Sequence, residues 1–208
     1  MTTEARTISP LGINLHIRLS KPADRSAGGV ILPERLRENY VQGEILAVGP
    51  GMDLALMGLR SVVWPSPGET VLFEKHNLRL ISKDEAVLPE TDLLALVDAT
   101  GLIPLNDWLM LELADWDRGT GRIVIAEEFQ RRPRKGKLLA WGPGRLVTKG
   151  VRRGTRLSVP DMLQWNEEAL QKGPVVHWHE SSRVVDVGRE HTEAVLVKAE
   201  DIVAVEVP

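Results

Sequence analysis

A chain of 208 residues with a net charge of −3, its 26 basic and 29 acidic side chains intermixed and no cysteine present, excludes several classes at once. Mixed charge creates no broad field to recruit nucleic acid or an anionic membrane, and without thiols there is no disulfide framework, thiol nucleophile or thiolate metal site. No apolar run approaches membrane-spanning length, and residues 1–10 carry neither a basic start nor an apolar core segment, so the sequence predicts a soluble cytoplasmic protein.

In chain order the predicted elements are short, β-compatible runs bounded by glycine or proline. The first half offers 14–19, 44–48, 70–73 and 93–97, and the second offers 108–113, 137–141, 156–159 and 202–207. The halves are copies. Gly43-Glu44-Ile45-Leu46-Ala47-Val48-Gly49-Pro50-Gly51 returns as Gly136-Lys137-Leu138-Leu139-Ala140-Trp141-Gly142-Pro143-Gly144, 93 positions later. Pro10-Leu11 and Pro104-Leu105 open the copies, and Asp92 and Asp201 introduce their last strands. A period near 100 residues is the size of a small domain and too long for a solenoid unit. The expectation is an all-β protein of two tandem small barrels, residues 1–99 and 100–208, joined by a short linker. The second copy is longer, through an expansion over 161–193 in which Asp161 caps a short helix, residues 162–172, ended by Gly173-Pro174.

Each copy also carries an apolar triplet where turn residues would be expected. Val30-Ile31-Leu32 follows Gly28-Gly29, and Ile123-Val124-Ile125 follows a loop with Gly119 and Gly121. Three aliphatics in a row ordinarily mean a buried strand. A preceding double glycine leaves the backbone free to stay unfolded until a partner supplies apolar surface.

Five segments in order, Pro10-Leu11, 26–32, 43–51, 67–73 and 90–97, resemble the GroES-type co-chaperonins, the ring-shaped lids of barrel chaperonins. The second copy is similar in its opening, its triplet, its 136–144 block and its closing strand. The resemblance implies a tandem co-chaperonin that assists folding without using ATP itself, needs no cofactor and is not an enzyme. It implies that residues 26–33 form a mobile loop whose Val30-Ile31-Leu32 docks in an apolar groove of a GroEL-type chaperonin in its nucleotide-bound state. Gly28, Gly29, Val30, Ile31, Leu32, Ile123, Val124 and Ile125 are thus the candidate chaperonin-binding residues, with Arg122 replacing the second glycine in copy two. It also implies a homo-oligomeric ring joined through terminal strands, and the lack of a transit peptide points to a bacterial or phage-infected host cytoplasm.

Other readings are weaker. A ring-forming structural or regulatory protein that kept the barrel without closing a chamber is the rival, motivated by the divergent second loop and the expansion. His177-Trp178-His179 puts two imidazoles on one face of a strand, a metal half-site without a third ligand in view. The basic run Arg131-Arg132-Pro133-Arg134-Lys135 has no interleaved aromatic to stack bases. Neither dinucleotide nor phosphate-loop fingerprints occur, so no catalytic residue is expected. The apolar stretch 52–64 is expected to pack on a neighbour.

Overall fold

Short strands build the molecule from antiparallel sheets, those at 85–89 and 175–178 buried on alternate residues and those at 93–96, 108–111 and 194–197 buried at every residue. The computed structural model describes residues 8–20, 40–53, 64–75, 78–99, 101–113, 134–149, 153–187 and 194–206. Strands β1 (Asn14–Leu19), β2 (Tyr40–Val48), β3 (Thr70–Glu74), β4 (Arg79–Leu80), β5 (Glu85–Pro89), β6 (Leu93–Asp98) and β7 (Gly101–Pro104) form one sheet in the order β4-β5-β1-β2-β3-β6-β7. The chain continues through β8 (Trp108–Leu113), β9 (Lys135–Trp141), β10 (Arg145–Leu146), β11 (Arg156–Leu157), helices α1 (Val159–Leu163) and α2 (Glu167–Gln171), β12 (Val175–Trp178), β13 (Val185–Asp186), β14 (Ala194–Lys198) and β15 (Ile202–Glu206). The second sheet runs β13-β14-β8-β9-β12-β15, with β10 and β11 as a separate ribbon. The all-β, tandem GroES-like expectation holds.

The sequence repeat is a repeat of contacts. Gly49 N–H bonds the Asn14 carbonyl and Gly51 N–H that of Gly12, both at 2.9 Å; Gly142 N–H bonds Trp108 at 2.9 Å and Gly144 N–H bonds Asn106 at 2.8 Å. Glycine is needed at these positions for stated reasons. A Cβ at Gly49 would strike the Gly12 carbonyl and one at Gly142 the Asn106 carbonyl, while Gly51 and Gly144 sit at φ +84 and +106, where side chains are strained. The bulge between His16 and Ile17 on β1 recurs between Met110 and Leu111 on β8. The cores match too: Leu15, Ile17, Ile45, Val71 and Phe73 are buried in the first, and Leu109, Leu111, Leu138, Val176 and Trp178 in the second.

Two expectations need correction. The counterpart of β3 is β12, which lies between β9 and β15 as β3 lies between β2 and β6, and shares its bulge before the aromatic residue. The 156–159 run pairs only in the β10–β11 ribbon, because the added residues come before the strand that completes the sheet. The predicted single helix is two. Ser158 caps α1, its hydroxyl accepting from Asp161 N–H at 3.2 Å, so Asp161 lies in the first turn. Gln164 at φ 54 breaks the run, and Asn166 caps α2. Val159 and Leu170 anchor both helices in the second core.

Candidate functional site

The triplets Val30-Ile31-Leu32 and Ile123-Val124-Ile125, together with Gly28 and Gly29, lie outside the described residues, as do residues 54–63. What is described is their stems. β1 ends at Leu19, paired with Gly43 of β2, and β8 ends at Leu113, paired with Gly136 of β9. Residues 21–39 and 114–133 therefore connect corresponding strand pairs in sequence. Both stems are drawn tight: a Cβ at Gly43 would strike the Ile17 side chain and the Arg18 carbonyl, and one at Gly136 would lie 2.7 Å from the Glu112 carbonyl.

A second feature was missed at the sequence level. β7, the opening strand of the second repeat, pairs with β6, the closing strand of the first, with Ala95 opposite Pro104 and Leu96 opposite Ile103. Leu105 N–H then bonds the Leu94 carbonyl at 2.9 Å, and the Leu105 side chain enters the first core. A further cluster buries Leu72, Leu94, Ala95 and Leu102 of the first sheet against Trp108, Met110, Val185, Val187, Ala194 and Leu196 of the second.

Polar groups lock this joint. Arg156 pairs with the buried Glu90 and donates to the Gly144 carbonyl at 2.9 Å. Asn106 Nδ2 donates to the carbonyls of Glu90 and Leu93 at 3.0 and 2.9 Å, and Arg183 pairs with buried Glu74. Burial pushes the Glu90 carboxyl above its ordinary value, against the pull of the Arg156 guanidinium. Glu90 Oε2 has no hydrogen-bond partner among the described residues. The joint thus holds a buried carboxylate, tolerable only while its pairing with the half-buried Arg156 stays intact. The available signal was contrast between copies: Glu90 and Asn106 stand where the other copy has Ala199 and Gly12.

The remaining sequence candidates have partners of their own. His177 on β12 contacts Glu206 Oε1 at 2.7 Å, whereas His179, beyond the strand end, contacts Ser181 Oγ at 2.7 Å. Among the described residues no group of three or more His, Cys, Asp or Glu side chains is arranged to hold a metal. Arg134 pairs with Glu180 at 2.9 Å. No described helix is long and apolar enough to cross a membrane.

Residues 7–97 match the chaperonin 10 kDa subunit family. The first barrel is similar to that family over nearly its whole length. Similarity extends further, to chloroplastic 20 kDa chaperonins: 27% identity over 158 residues with that of Spinacia oleracea, covering 73% of this chain and 61% of the relative, and 25% over 151 residues with that of Arabidopsis thaliana, covering 69% and 59%. These alignments are longer than either repeat, so they reach both. The chain spans about six tenths of the length of the curated relatives it matches. The resemblance to a GroES-type tandem co-chaperonin is thereby shown. One expectation is overturned. The relatives are named as plant chloroplast proteins, which removes the ground for a bacterial or phage-infected cytoplasm; the first residues were a poor guide to location.

Proposed function

We propose that this chain is a co-chaperonin that caps a GroEL-type chaperonin in its nucleotide-bound state and assists the folding of enclosed polypeptides, with Val30-Ile31-Leu32 and Ile123-Val124-Ile125 as the docking groups and chains joined in a homo-oligomeric ring. The observation that supports the reading is that both triplets fall in segments connecting corresponding strand pairs, β1–β2 and β8–β9, in a chain whose residues 7–97 match the chaperonin 10 kDa subunit family.

The energetics favour many weak contacts over one strong one. Burying a large aliphatic side chain yields about 1.5–3 kcal/mol, whereas ordering each backbone residue of a free loop costs roughly 1–2 kcal/mol. A single triplet therefore binds weakly, and several displayed together bind by avidity. A lid of that kind is held firmly and still comes off. Glycines 28 and 29 supply the freedom in the first loop, and Arg122 restricts and charges the second, so the first triplet is the stronger group.

Ile31→Asp tests this directly. The variant is expected to lose nucleotide-dependent binding to the chaperonin and the refolding of a stringent substrate together, with its own folding unchanged. Binding that survives this change and the further change Val124→Asp contradicts the proposal.

A further inference from the structure

The buried cluster between the repeats uses positions that recur on the outer faces of the two sheets, and the residues there are not apolar. Leu72, Met110 and Ala194 are buried in that cluster and Val97 packs against it. Strand pairing identifies the counterparts. Val71 lies opposite Gly43 as Val176 lies opposite Gly136, so Leu72 corresponds to His177. Val97 lies opposite Thr70 as Glu206 lies opposite Val175. His16 faces Ala47 as Met110 faces Ala140, and Glu85 faces Arg18 as Ala194 faces Glu112. Four positions of one apolar cluster thus become two imidazoles and two carboxylates.

These four stand as two ready-made pairs. His177 Nε2 lies 2.7 Å from Glu206 Oε1, and His16 Nε2 lies 3.1 Å from Glu85 Oε2. His177, Glu206 and Glu85 are partly exposed, while the His16 ring is buried with its Nε2 directed at the Glu85 carboxylate. Imidazole nitrogen with carboxylate oxygen is a donor set that suits zinc, whose closed sites take four ligands in a tetrahedron. Each pair supplies half of that set. Within one chain the halves stay apart, since the apolar residues hold the place between the repeats.

We infer that a divalent transition metal, zinc fitting best, is bound between two copies of this chain by His177 and Glu206 of one copy and His16 and Glu85 of the next. The inference rests on the ring reading, with copies meeting as the repeats meet, and it assigns that joint a ligand. The metal takes the place of the proton in each nitrogen–oxygen contact and draws Glu206 from Lys135, whose Nζ is 4.0 Å away. Arg79, the counterpart of Val185 in the cluster, is the other cation on this face. Two kinds of joint result. The one inside each chain is closed by apolar burial and the Glu90–Arg156 pair, and the one between chains is made conditional on an ion.

Native mass of the full chain, stripped with EDTA and then given zinc, is the test. One zinc per joint is expected, with the concentration for half-assembly lowered roughly tenfold or more and restored by EDTA. His177→Gln and Glu85→Gln, both at partly exposed positions, each abolish the zinc effect. An equimolar mixture of these two variants shows whether the site spans chains. Its one complete donor set joins His177 of the Glu85→Gln chain to Glu85 of the His177→Gln chain, so zinc gives dimers in the mixture that neither variant gives alone. Assembly indifferent to zinc and EDTA, zinc retained equally by wild type and His177→Gln, or a mixture no different from its components overturns the inference and leaves the ring reading standing. A wild-type chain with the mass of one subunit at every concentration, with and without zinc, overturns both.

Discussion

β6 and β15 occupy the same place in two copies of one repeat, and they differ in everything that depends on their surroundings. β6 is roofed by β7, packed against Trp108 and Met110, and flanked by the Glu90–Arg156 pair. β15 keeps the backbone of that arrangement and lacks its cover, with Val203 and Ala204 exposed. The lesson is that a strand's burial follows its neighbours: Leu93 to Leu96 and Ile202 to Val205 are equally apolar, and only the inner four are buried.

The strongest way to break the comparison is to unpair the lock. Arg156→Leu leaves the Glu90 carboxylate buried without its cation, and the expected loss is about 3–5 kcal/mol near neutral pH by denaturant unfolding. The sign of its pH dependence follows from the causes acting on Glu90: burial raises its pKa and Arg156 pulls it down, so removing Arg156 raises it further. The folded state holds that proton more tightly than the unfolded chain, so the penalty grows as pH rises through the folded pKa and is relieved as pH falls towards the unfolded value. A penalty that is the same at pH 5 and pH 8 contradicts this assignment.

Leu105→Ala and Leu11→Ala come next and sharpen the contrast, since the residues are counterparts in sequence. The first removes a buried plug and should cost about 2–5 kcal/mol. The second, at an exposed position, should stay within about 0.5 kcal/mol for the isolated chain. Asn106→Ala is expected to cost about 1–3 kcal/mol by leaving two buried carbonyls without their donor. Asn106→Gly should cost less than Asn106→Ala, because glycine accepts the left-handed conformation at φ 50. Thermal or urea unfolding of the pair decides it.

Much of this was legible from residues whose role is local. Gly49-Pro50-Gly51 and Gly142-Pro143-Gly144 announce themselves because backbone approach and positive φ leave no alternative to glycine. Strand runs such as 14–19 and 108–113 were legible because a short apolar-rich run bounded by turn residues is likewise a local pattern. The identity of β12 was not, since Arg156-Leu157-Ser158-Val159 reads as well for a strand as Val175–Trp178 does, and only pairing with β9 and β15 separates them. The helix break at Gln164 also escaped, because a left-handed glutamine has no sequence signature. The joint was the largest omission. Glu90 and Arg156 are 66 positions apart, and nothing in either segment foretells the other. The role of the candidate triplets rests on the resemblance, and they lie outside the described residues; the structure contributes the strand pairs on either side of them.

The most direct test of the account is the intact mass of the chain mixed with a GroEL-type chaperonin, measured with and without nucleotide. The account predicts a defined complex carrying several copies of this chain when nucleotide is present, and free chaperonin when it is absent. No complex in either condition, or binding indifferent to nucleotide and to Ile31→Asp, would contradict it.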